Sequence, residues 1–139
     1  MRRTYLFSAL GILTLLVLTM LAIDRQHYYP EVSLDLPGQG RLVFFDAPWT
    51  SEQKCNDANA KIIAAVAANC SQCKLAGRCL TQIDPSRLRA LEGRAIDSYV
   101  VHSGTQRILI DTAAASKQTC AAMAEQISRN KPARCVYPE

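Results

Sequence analysis

The sequence predicts an α+β domain: a small antiparallel sheet packed against two main helices, disulfide-stabilised and preceded by a transmembrane helix. Three observations carry this. Residues 4–23 form a 20-residue run without a charged side chain. Strand-period and helix-period segments alternate beyond it. All six cysteines lie on the far side of that run.

As a helix rising about 1.5 Å per residue, residues 4–23 reach roughly 30 Å, the thickness of a bilayer's hydrocarbon core. Eleven of them are Leu, Ile, Val or Phe, so insertion gains roughly 3 to 7 kcal/mol before the polar residues are counted. A cleaved secretory signal is the competing expectation. It is disfavoured because its apolar stretch is normally shorter, and because cleavage after Ala22 would put Met20 where a small residue is wanted. Arg2 and Arg3 precede the run and hold that end in the cytoplasm. The expected organisation is therefore a cytoplasmic start at 1–3, a signal-anchor at 4–23, a juxtamembrane linker at 24–30 and an extracytoplasmic domain at 31–139. Tyr28 and Tyr29 suit the outer interface or the start of the domain, and His27 is expected to be solvated.

Within the domain, residues 31–36 alternate Val32, Leu34 and Leu36 with polar residues, the period of a half-buried strand. Pro37-Gly38-Gln39-Gly40 is a turn, and 41–45 returns as a second strand. Thr50-Ser51-Glu52-Gln53 reads as a capping box. The helix it opens runs to about Asn69, with Cys55, Ala58, Ile62, Val66 and Cys70 on one face. Trp49 is expected to pack as a hydrophobic staple, with a partner contact as its second use. Residues 71–83 read as an irregular connection pinned by cysteines. Asp84 and Pro85 cap and open a short helix through Leu91, stopped by Gly93. Residues 97–102 and 107–111 form a hairpin in which His102 faces Arg107, Val101 faces Ile108 and Tyr99 faces Ile110. Asp111 or Thr112 caps a last helix to about Asn130, facing the core through Cys120, Ala124 and Ile127. An edge strand follows Pro132. Helices on one face of a largely antiparallel sheet resolve this order, with a ferredoxin-like βαββαβ arrangement possible. No internal repeat is evident, nor any flexible linker beyond 24–30.

The even number of cysteines, Cys55, Cys70, Cys73, Cys79, Cys120 and Cys135, reads as up to three disulfides in an oxidising compartment. Cys120 with Cys135 is the best single pairing, closing a loop worth about 3 kcal/mol. The other four then pair among themselves, with a direct Cys70–Cys73 bond as a tight option. Two functional readings compete. One is redox chemistry at Cys70 and Cys73, disfavoured because the pair follows a helix C-terminus, where the dipole opposes a thiolate. The other is a metal or iron–sulfur site from Cys70, Cys73, Cys79 and Cys55 or His102, which belongs to a reducing compartment.

Catalytic motifs are not found: no nucleophile elbow, phosphate loop, zinc pair or dinucleotide fingerprint. His102, beside Arg107, offers a candidate base with Asp111 or Ser98 nearby on the same face, but it is expected to be solvated polarity held neutral by its cationic neighbour. Asp46 and Asp57 suit the helix dipole. The formal charge of +4 is spread along the chain and makes no case for nucleic acid. Lys74, Arg78, Arg87, Arg89 and Arg94 fall close enough in sequence to form an anion or partner patch, or a solvated positive face.

The expectation is a non-catalytic protein of the cell inner membrane, single-pass, its C-terminal domain periplasmic. It binds a membrane or periplasmic protein as an accessory subunit of an envelope machine for secretion, transport or polysaccharide assembly, with no cofactor and no metal. The rivals are an anchored inhibitor or immunity-type protein and a redox or metal-binding protein using Cys70 and Cys73.

Overall fold

The computed structural model describes residues 26–112 and 116–139. The expected membrane span lies outside the described residues, as do the residues expected to open the last helix at 113–115. Among the described residues no helix is long and apolar enough to cross a membrane. The elements are β1 Tyr29–Leu36, β2 Gly40–Phe45, α1 Glu52–Ala67, β3 Lys74–Leu80, α2 Pro85–Leu91, β4 Tyr99–Ser103, β5 Gln106–Asp111, α3 Ser116–Ser128 and β6 Arg134–Val136. The six strands form one sheet in the order β3-β1-β2-β5-β4-β6, every neighbour antiparallel.

Alternation sets the two faces of this sheet. Val32, Leu34, Leu42, Phe44, Val101, Ile108 and Ile110 point to one side, where Cys120 and Ala124 of α3 complete a buried cluster and Ile62, Ile63 and Val66 of α1 pack against it. Val43, Phe45 and Val100 point to the other, where Ala90 of α2 and Ile96 cover them. The two main helices thus share a face, as expected, while the short helix crosses to the opposite one. The chain reaches it because Asp84 caps α2, accepting from the backbone N–H groups of Ser86 at 3.1 Å and Arg87 at 3.0 Å, with Pro85 as the first helical residue.

Three local expectations change. Residues 71–83 contain a strand: β3 pairs along the whole of β1. Its signal is weak because Gly77 occupies a helix-facing position, and a Cβ there would stand 3.0 Å from Ile63 Cδ1 and 3.3 Å from Asn59 Cβ. Glycine lets α1 lie close on the strand, and it removes the apolar residue that would have revealed it. The Thr50 capping box does not form. The N-cap is Ser51, which makes no side-chain bond to the helix. Upstream, the Trp49 N–H donates to Tyr28 O at 2.9 Å and the Tyr28 N–H to Trp49 O at 2.8 Å, which sets the approach to α1 from outside it. β1 begins at Tyr29, two residues earlier than the alternation suggested.

The connectivity also departs from the ferredoxin-like order, and it contains the repeat that the sequence concealed. β1-β2-α1-β3 and β4-β5-α3-β6 are two copies of one ββαβ unit, each a hairpin followed by a helix that returns to the far side of the hairpin's first strand. The copies meet at β2 and β5 in a register centred on Val43 facing Leu109, with Arg41 facing Asp111 and Arg107 facing Phe45. Traces remain in the sequence. Ser51-Glu52-Gln53-Lys54-Cys55 matches Ser116-Lys117-Gln118-Thr119-Cys120 at Ser, Gln and Cys, and Arg78-Cys79-Leu80 resembles Arg134-Cys135-Val136. Unequal spacing hid them: the paired cysteines are 24 residues apart in one copy and 15 in the other. The copies differ at the sheet edges. Cys79 lies opposite Pro30, whereas Cys135 lies opposite Val101, whose hairpin counterpart is Leu34.

Candidate functional site

All six cysteines are paired: Cys55–Cys79, Cys70–Cys73 and Cys120–Cys135. The last is the pairing expected from sequence. The first is its counterpart in the other copy, each joining the start of a helix to the edge strand that follows it. The ligand set considered for a metal is divided between two disulfides, and no other group of three His, Cys, Asp or Glu side chains that could hold a metal occurs among the described residues. Cys70 and Cys73 follow the C-terminal end of α1, where the helix dipole raises the free energy of a thiolate.

A cavity of about 530 Å³ forms a groove between α1 and the β4–β5 turn. Ala58 and Ile62 of α1 form its apolar wall, Ser103 and Gln106 its opposite side, and Trp49 its rim. Trp49 is 41% exposed. Its backbone is paired with that of Tyr28. Lys54, Lys61 and Lys131 surround the groove, against Asp46 and Asp57. Lys131 Nζ donates to Gln106 Oε1 at 3.3 Å, closing one end. Ser103 is 2% exposed and its hydroxyl has no partner among the described residues, so a buried donor and acceptor stands unused at this wall. Asp57, placed by sequence at the helix dipole, borders this groove.

The five basic residues considered as a patch do not converge. Arg78 and Arg87 meet at Glu31, a carboxylate only 3% exposed that the alternation had placed on a solvated face. Arg78 Nε donates to Glu31 Oε1 at 2.7 Å, and Arg87 closes on the other oxygen while also pairing with Asp84. Burial lowers the Arg87 pKa. Removing Glu31 would leave Arg87 with Asp84 as its remaining ion pair. Arg94 pairs with Glu92, Lys74 stands opposite Asp35 at the other end of β3, and Arg89 is exposed. The pair that meets serves the fold.

His102 is where the hairpin register put it, opposite Arg107. It is buried rather than solvated, 7% exposed, because the end of α2 covers this part of the sheet through Arg107. Burial, then Arg107, then Arg134, lowers its pKa to about 4. Its Nε2 has no hydrogen-bond partner among the described residues. Asp111, considered as a partner for a catalytic base, lies at the other end of β5, opposite Arg41. Sequence reasoning also missed Asn59, which is buried in α1 and whose Nδ2 donates to Arg78 O at 2.9 Å. Its place in the stripe between Cys55 and Ile62 was the available signal. No family model, curated protein or solved structure matches the chain.

Proposed function

We propose that this is a non-catalytic binding protein, anchored in the inner membrane by residues 4–23, with its domain outside the cytoplasm. There it serves as an accessory subunit of an envelope machine for secretion, transport or polysaccharide assembly. The uncharged run after Arg2 and Arg3 supports the anchor and its orientation. Three disulfides support an oxidising compartment.

The observation that carries the binding role is the groove rimmed by Trp49, the only tryptophan of the chain. A half-exposed Trp beside Ala58 and Ile62 offers a rigid apolar contact, and three lysines around it favour a partner segment with acidic residues flanking an apolar one. In intact cells, a photo-crosslinking residue at Thr105, on the groove, should capture a membrane-complex protein. The same residue at Arg89, on the α2 side, should not. Trp49→Ala should weaken capture about 30-fold, the effect of losing a hot spot worth about 2 kcal/mol. Equal capture from both positions, or capture unaffected by Trp49→Ala, would refute the groove. Capture of a single soluble enzyme would favour the inhibitor reading.

A further inference from the structure

The two copies of the ββαβ unit place one side chain between two cations on the sheet face that α2 borders. In the first copy, Asp35 of β1 lies opposite Arg41 of β2 and Lys74 of β3. In the second, His102 of β4 lies opposite Arg107 of β5 and Arg134 of β6. Arg41 Nε donates to Asp35 Oδ1 at 2.6 Å, so the first copy supplies its own anion. The second has an imidazole in that place. Burial and the flanking guanidiniums keep it neutral near pH 7. Among the described residues neither Arg107 nor Arg134 makes an ion pair.

Beside this unmatched pair lies a cavity of about 310 Å³ bordered by His102, Arg107 and Arg134 together with Gly93, Gly104 and Pro132, and no carboxylate lines it. A Cβ built on Gly93 or Gly104 would meet nothing within 4 Å, so the backbone leaves the space open. The nearest acid of the α2 end, Glu92, is engaged by Arg94, and Asp46 acts on Arg107 only through its field. Two cations and a buried imidazole, in a space with no anion of its own, form an electrostatically incomplete site.

We propose that this cavity binds a small oxyanion, a phosphate or carboxylate group, in the role that Asp35 fills in the first copy. Arg134, exposed and without an ion pair, makes the direct charge-assisted contact. Arg107 is already committed to four backbone carbonyls, and contributes its field. His102 closes the inner wall and reports occupancy, since an anion beside it favours its protonated form.

The test uses the full chain in detergent micelles, labelled at histidine, with exposed His27 as the internal reference. Inorganic phosphate and acetate are titrated in separate arms at constant ionic strength. A saturable shift of the His102 ring signals, with a rise in its pKa, is expected from at least one anion, and the responding arm identifies the group. Arg134→Gln should weaken binding at least about tenfold, the loss of one charge-assisted hydrogen bond. His102→Asp should abolish it by installing the carboxylate of the first copy, read by calorimetry. Lys74→Gln, on the edge strand β3 at the far end of the sheet from β6, should leave it unchanged. No saturable response to either anion at millimolar concentration, or an equal response in Arg134→Gln, overturns the proposal. Should His102→Asp fail to fold, Arg134→Gln at its exposed position still decides.

Discussion

Arg107 donates to four backbone oxygens: Ala90 O at 2.8 Å, Leu91 O at 3.0 Å, Gly104 O at 2.7 Å and Gln106 O at 3.0 Å. Two of these are the last carbonyls of α2, where Ala90 O also accepts from the Gly93 N–H at 3.0 Å, and a cation there meets the favourable end of the helix dipole. One side chain thereby fastens the short helix to the β4–β5 turn. The cost falls on its neighbour. His102 must remain neutral beside it, and this sets a pH dependence whose sign is fixed. The imidazole titrates near 6.5 in the unfolded chain and near 4 in the folded one. Between those values the unfolded state binds the extra proton, so stability is fully present above pH 6.5 and is progressively lost as pH falls towards 4. Urea unfolding midpoints across that range should fall with acidity, and His102→Gln should flatten the profile. An unchanged slope in the variant would show that His102 does not carry it.

At the scale of elements, each of the two main helices is bonded to its own edge strand. Loop length ranks the three bridges. Chain entropy assigns about 3.5 kcal/mol to the 24-residue Cys55–Cys79 separation, about 3 to the 15-residue Cys120–Cys135 separation and about 1.6 to Cys70–Cys73, three residues apart. Double Cys→Ser variants should lower the urea midpoint in that order, and a larger loss at Cys70 and Cys73 would point to a role for that bridge beyond chain closure. Elements were legible in the sequence where a regular pattern met a turn signal. The β4–β5 register followed from matching Val101 to Ile108 and Tyr99 to Ile110, and Asp84 with Pro85 marked α2. β3 was not legible, because Gly77 sits where an apolar residue would have completed its alternation. The burial of Glu31 and His102 was hidden for a related reason. Both face the side of the sheet that α2 covers, and no periodicity in a seven-residue helix announces which face it will choose. Trp49 was recognised, but its backbone bridge to Tyr28 was not, being a contact between distant residues.

At the scale of the molecule, the sheet is continuous but the covalent bracing is not. Every disulfide lies within one ββαβ copy, and the copies are joined by the β2–β5 ladder, by α2, and by the apolar clusters that run beneath both. A protease site inserted between Gly93 and Arg94, outside any strand or helix, should therefore give two fragments that migrate together under native conditions. They should part in urea even without reductant, as size-exclusion chromatography before and after cleavage would show. Separation in native buffer would mean that the ladder and clusters cannot hold the copies unaided.

A ladder centred on corresponding positions of two like units is what two identical shorter chains would make by pairing with each other. Such an assembly is obliged to keep its two sides alike, since every substitution appears twice. Once the α2 segment makes one polypeptide of both, that obligation ends: Asp35 persists on one side while His102 occupies its counterpart on the other. Asymmetry of this kind frees half of the molecule to specialise while its twin goes on holding the shared scaffold in shape.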